Sequence, residues 1–131
     1  PDALAPLLAE LDYVVCVLPG TTALHHYFNA ERFAAMKDGA IFINVGRGPV
    51  VDPDALIEAL DGGPLGGAVL DVFETEPLAA DSPLWRHPKI LITPHAAGGA
   101  AMASMPDILE NYRRAAAGEP LINLADPQQG Y

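Results

Sequence analysis

Leu4, Leu7, Leu8 and Leu11 recur at the i, i+3, i+4, i+7 spacing of one helical face, so the pattern predicts an amphipathic helix over Asp2 to Leu11. Tyr13 to Leu18 is apolar at nearly every position, which predicts a strand covered on both faces in a parallel sheet rather than half exposed in a hairpin. Pro19 and Gly20 end it. Asn29 suits an N-cap for a helix to about Met36, and Gly39 can take a left-handed turn after it. Ala40 to Val45 reads as a second strand. Asp52 and Pro53 supply an N-cap and a first-turn proline for a helix through Leu60, stopped by Gly62 and Gly63. Third and fourth strands are predicted over Ala68 to Phe73 and Ile90 to Thr93. An Ala-rich helix is then expected from about Gly99 to Ala117, interruptible at Pro106, and Gly118 to Tyr131 reads as an irregular tail. Strand and helix alternate with short connections, which predicts βαβ crossovers, a parallel sheet of about four strands with helices on both faces, and hence an α/β fold class.

Charge narrows the partners. Seven Lys and Arg stand against seventeen Asp and Glu, a formal net charge of −10 in 131 residues. A phosphate-binding face needs a surplus of basic residues, so nucleic acid is excluded as an expected partner. The apolar runs are about six residues, against the ~20 of a spanning helix, so no membrane segment is expected either. The one cysteine, Cys16, excludes an internal disulfide and agrees with a reducing, cytoplasmic setting. Half the residues are hydrophobic, enough for a real core.

Function in parallel α/β sheets concentrates just beyond the carboxyl ends of the strands. After the first strand come Leu18, Pro19, Gly20, Thr21 and Thr22, either a simple strand-ending turn or a surface for a flat ligand. After the second, Arg47 stands between Gly46 and Gly48. Flanking glycines allow a backbone to approach a ligand while the guanidinium forks onto a carboxylate, the alternative being a surface or interdomain ion pair. The third strand ends in Asp71, Glu74 and Glu76, a charged loop or a source of a functional carboxylate. The fourth ends in Pro94, His95, Ala96, Ala97 and Gly98. An arginine, a carboxylate and a histidine at neighbouring strand ends suit reduction of a 2-oxo acid. The arginine holds the acid, the histidine protonates the carbonyl oxygen as hydride arrives, and the carboxylate orients the ring and favours its charged form. Ser82 and Ser104 lie in no G-x-S-x-G elbow, which argues against hydrolytic chemistry. His25, His26 and His87 have no such neighbours in the strand-end scheme and read as surface or packing residues. A metal shared by His25 and His26 is possible in principle, but no Cys or second His cluster supports one, so no metal is expected.

INVGRGPVVD at Ile43 to Asp52, LDVFETEPL at Leu70 to Leu78 and ITPHAAGG at Ile92 to Gly99 together resemble the D-isomer-specific 2-hydroxyacid dehydrogenases, in that family's order and spacing. SPLWRHPKILITPHAA resembles the glyoxylate/hydroxypyruvate reductase branch. The resemblance implies the C-terminal half of a Rossmann-type dinucleotide domain over residues 1–117, with a tail, 118–131, that returns to a separate substrate domain. It makes Arg47 the substrate-binding arginine, His95 the acid/base and Glu76 its partner carboxylate. Asp71 receives the nicotinamide carboxamide in that scheme. Leu18, Pro19 and Thr22 flank adenine and ribose, while Val45, Gly46, Ala97 and Gly98 line the nicotinamide, with Arg47 and His95 also beside it. The implied cofactor is NADP or NAD, the implied substrate a small 2-oxo acid, and the implied assembly a homodimer. The G-x-G-x-x-G turn that binds the pyrophosphate does not occur here, so the 131 residues alone are expected to be inactive, with Ile108, Leu109, Tyr112, Leu121, Ile122 and Leu124 short of their usual cover. A non-catalytic, dinucleotide-dependent assembly module of the same fold is the competing expectation.

Overall fold

In the computed structural model, residues 4–98 and 105–124 are described. Four parallel strands form one sheet in the order β1(Tyr13–Cys16), β2(Ile41–Asn44), β3(Gly67–Leu70), β4(Ile90–Ile92). Tyr13 pairs with Ile41, Ile41 with Gly67, and Ala68 with Ile90, so the strands run in register and their carboxyl ends form one edge. The helices are α1(Leu4–Leu8), α2(Ala30–Ala34), α3(Pro53–Asp61) and α4(Met105–Ala117). The α/β class and the four parallel strands are as the hydrophobic pattern predicts, but among the described residues the buried core lies on one face of the sheet rather than both.

Capping sets the helix starts. Asn29 accepts a hydrogen bond from the Arg32 amide to open α2, and Asp52 accepts from the Asp54 and Ala55 amides to open α3, with Pro53 in the first turn. Gly39 has a φ of 81°, in the turn that leads into β2 rather than at the end of α2. Three short 3-10 turns, Thr22–Leu24, Gly48–Val50 and Pro83–Arg86, fall in stretches where the sequence predicts no regular element.

The core lies on one side of the sheet. Val14, Cys16, Phe42, Ala68 and Leu70 point into it, and Leu8, Phe33, Leu56 and Leu60 from the helices are wholly or almost wholly buried there. Phe28, Phe33 and Phe42 pack with ring centroids 4.7 to 6.0 Å apart. Burial holds the Cys16 thiol above its ordinary pKa, which keeps it protonated and unreactive.

Two sequence expectations are corrected. β1 is not covered on both faces: Tyr13, Val15 and Val17 are exposed, and burial alternates along the strand. An apolar side chain is buried only where another element meets it, and among the described residues none covers that face of β1. The first helix ends at Leu8 rather than Leu11, where Leu7 and Leu11 stay exposed while Leu8 is buried, and its expected start at Asp2 lies outside the described residues. The C-terminal helix is described from Met105, so its expected start at Gly99 lies outside the described residues. Ile108, Leu109, Tyr112, Leu121 and Leu124 are exposed, as expected of residues lacking cover. Asn111 clips the tail to α4, donating to the Ile122 carbonyl at 3.0 Å and accepting from its amide at 2.8 Å. No helix among the described residues is long and apolar enough to cross a membrane.

Candidate active site

Parallel register delivers the ends of β2, β3 and β4 to one edge, and Arg47, Glu76 and His95 each follow one of those ends. His95 Nδ1 and Glu76 Oε2 are 2.8 Å apart. The other Glu76 oxygen, Oε1, accepts from the Phe73 amide at 2.9 Å, which pins the carboxylate to its own loop. The Phe73 amide and then His95 hold the Glu76 carboxyl below its ordinary pKa, with a smaller contribution from the positive charge of Arg47. Glu76 rather than Glu74 therefore faces the histidine, while Arg47 makes no hydrogen bond or ion pair with either of them among the described residues. A cleft of about 420 Å³ opens beside the pair, lined by Asp71, Phe73, Trp85, Thr93 and Pro94 among others. A second cleft, about 320 Å³, lies between α3 and residues 73–84 and is not lined by Arg47, Glu76 or His95.

His95 has a φ of 54°, a left-handed conformation that a non-glycine residue keeps only where its surroundings hold it. Asp71 is what holds it. Its carboxylate, 2% exposed, accepts from the Thr93 hydroxyl, from the Ala96 amide at 2.9 Å and from the Ala97 amide at 2.8 Å. Donors on both sides of His95 thus converge on one anion at the end of β3. Those hydrogen bonds, led by Thr93, lower the Asp71 pKa and keep it ionised.

Arg47 is exposed, and its Nη1 donates to the Gly46 carbonyl at 2.8 Å. The flanking glycines have a packing reason of their own. A Cβ on Gly46 would lie 2.6 Å from the Leu18 carbonyl oxygen, and one on Gly48 would lie 1.8 Å from the Phe73 carbonyl carbon. Neighbouring strand-end loops pack backbone to backbone there, so the glycines let the arginine loop seat between its neighbours. Gly20 has a similar part, since its Cβ would stand 3.2 Å from that of Arg47.

Sequence reasoning missed two bracing residues. Asn44, 1% exposed, donates to the Arg47 carbonyl and accepts from the Gly46 amide, both at 3.1 Å. Thr93 is the other. An amide and a hydroxyl ending otherwise apolar strands were the available signal. Of the expected cofactor residues, Leu18 and Pro19, half-buried, and Thr22, exposed, follow β1, and Val45 and Gly46 form the turn after β2. Ala97 and Gly98 lie exposed beyond β4, the former tied to Asp71. His87 is a packing residue, its side chain largely buried and 3.2 Å from Asp61. His25 and His26 are not without neighbours: both reach Glu74.

The family model described as D-isomer specific 2-hydroxyacid dehydrogenase, NAD binding domain, matches residues 1–97. Glyoxylate/hydroxypyruvate reductase B of Escherichia fergusonii is 57% identical over 89 residues, 68% of this chain and 28% of that protein. Among solved structures, a D-isomer specific 2-hydroxyacid dehydrogenase from Xanthobacter autotrophicus Py2, in complex with NADPH and MES, superposes with a TM-score of 0.89 at 50% identity, over 99% of this chain and 54% of that one. An NADPH-dependent glyoxylate/hydroxypyruvate reductase from Sinorhizobium meliloti, in complex with NADP and sulfate, does so with a TM-score of 0.88 at 36% identity, over 99% and 43% respectively. The 89 matched residues thus span 28% of the length of that curated reductase.

Proposed function

The chain belongs to the D-isomer specific 2-hydroxyacid dehydrogenases, and from that premise we propose that it forms the part of a dinucleotide domain bearing the acid/base pair of a 2-oxo acid reductase. NADP or NAD is the cofactor and glyoxylate or hydroxypyruvate the substrate, in keeping with the names of the similar reductases. Residues 1–117 are the domain part and 118–131 the tail toward a substrate domain, within a cytoplasmic homodimer. The observation that carries this reading is the 2.8 Å contact between His95 Nδ1 and Glu76 Oε2.

With the carboxylate at Nδ1, that nitrogen keeps its proton and Nε2 is left to exchange one with substrate. In reduction, Nε2 of the charged ring donates a proton to the carbonyl oxygen; in the reverse direction it takes the proton from the hydroxyl. Arg47 holds the substrate carboxylate through guanidinium N–H groups other than the one given to Gly46. The donor set fits a nicotinamide dinucleotide. Asp71 Oδ2 receives one described donor, and a carboxylate oxygen accepts two, so it has room for a carboxamide N–H. Leu18, Pro19 and Thr22 would hold the adenosine side, with Val45, Gly46, Ala97 and Gly98 at the nicotinamide. The bound dinucleotide supplies the hydride.

Steady-state kinetics of the full-length enzyme with glyoxylate and NADPH tests this. Replacing His95 by alanine is expected to lower kcat about 10²- to 10⁴-fold, the usual contribution of a positioned acid/base. Arg47→Ala is expected to raise KM and lower kcat/KM together. A His95→Ala enzyme with near-normal turnover would overturn the assignment.

A further inference from the structure

His25 and His26 follow the 3-10 turn Thr22–Leu24. His26 has a φ of 50°, in the left-handed region that histidine visits more readily than most residues, and its amide donates to the Pro49 carbonyl at 2.8 Å. The two rings stack with centroids 4.0 Å apart. Glu74, from the loop after β3, completes the group: its Oε1 lies 3.1 Å from His25 Nε2 and 3.2 Å from His26 Nε2.

We propose that His25, His26 and Glu74 bind a divalent first-row transition ion of the zinc class. All three ligand atoms lie within 4.8 Å of one another. Zinc bonds of 2.0 to 2.1 Å in a tetrahedral arrangement put neighbouring ligand atoms about 3.3 Å apart, close to both N···O separations. Two imidazole nitrogens and one carboxylate oxygen are a donor set suited to zinc, nickel or copper, and three protein ligands leave one position for water. Behind the site, Asp52 Oδ2 stands 3.9 Å from His26 Nδ1. At that distance Asp52 makes no hydrogen bond, but an ion-binding tautomer with its proton on Nδ1 would turn that N–H toward an acid. Two acids, Glu74 and Asp52, balance the charge of the cation. The ion would tie the loop after β3 to the turn after β1, two positions before Glu76.

The test uses the full-length enzyme stripped with chelator and titrated with Co²⁺, followed by its visible absorption, then with Zn²⁺ as competitor. One Co²⁺ per chain is expected, with the intense bands of a four-coordinate site, displaced by Zn²⁺. The double variant His25→Ala, His26→Asn is expected to lose about 100-fold or more in affinity, and Glu74→Gln about 10-fold. Asparagine is used at 26 because it tolerates the left-handed backbone. Anomalous diffraction at the zinc edge on the wild-type enzyme locates the ion without any variant. Absence of saturable binding below about 1 mM, binding unchanged in the double variant, or an ion found elsewhere would each overturn the proposal.

Discussion

Asp71 carries more of the site's geometry than Arg47, Glu76 or His95. It is buried and ionised, and it gathers the Thr93 hydroxyl and the Ala96 and Ala97 amides around the left-handed His95. Because folding lowers its pKa, the stability it contributes is fully present above the ordinary carboxylate value of about 3.9 and is lost as pH falls through the lowered one. Asp71→Asn is therefore expected to lose stability at pH 7 and to show a shallower decline below about pH 4. Urea unfolding across that range measures it, and parallel wild-type and variant curves would contradict it. Asn44 has the corresponding part for Arg47, and Asn44→Ala is expected to cost about 1 to 3 kcal/mol and to raise KM for the 2-oxo acid. Arg47 and His95 were legible in the sequence because a charge or an imidazole beside glycine or proline at the end of an apolar strand has no packing reason to be there. Glu76 was separated from Glu74 only by the family resemblance. Asn44 and Thr93 stayed hidden because bracing depends on which backbone groups the loops bring near, and spacing does not encode that.

At the scale of elements, α3 shows what local chemistry can and cannot specify. Asp52 accepting two first-turn amides, Pro53 behind it and Gly62 at the other end fix the helix within a residue of its predicted span. Asp52→Ala is expected to cost about 1 kcal/mol, read as a lowered Tm of the full-length enzyme. The loop before α3 obeys a different rule. Gly48 lies so close to the Phe73 backbone that a methyl group forces the arginine loop and the Glu76 loop apart. Gly48→Ala is expected to destabilise by about 1 to 3 kcal/mol or more and to depress kcat/KM with it. Stability and activity indistinguishable from wild type would show that the loops can part freely. The strands were found within one to three residues because apolar runs between glycine and proline are strong signals. The three 3-10 turns were missed because three or four residues with i to i+3 bonding leave no periodicity to detect.

For the molecule as a whole, the governing fact is an imbalance between the two faces of the sheet. One face is packed with Phe42, Leu56 and Leu60, whereas the other leaves Tyr13, Val15, Val17 and Leu91 exposed. The sequence expectation of a doubly covered strand was right about residue type and wrong about surroundings, since hydrophobicity reports what a residue can bury and not what arrives to cover it. Among the described residues β1 is also an edge of the sheet, so its unpaired backbone adds a template for further strands. A polypeptide limited to these 131 residues is therefore expected to self-associate, a tendency that its net charge of −10 opposes only while salt is low. Light scattering of that polypeptide should show mass rising with ionic strength, and Val15→Lys, placing charge on the bare face, should reduce it. The same polypeptide is expected to oxidise no measurable NADPH with glyoxylate, because it has Arg47, Glu76 and His95 but no G-x-G-x-x-G turn to hold a pyrophosphate. Turnover by a monomeric 131-residue chain would show instead that one wall of the cleft suffices to bind both cofactor and substrate.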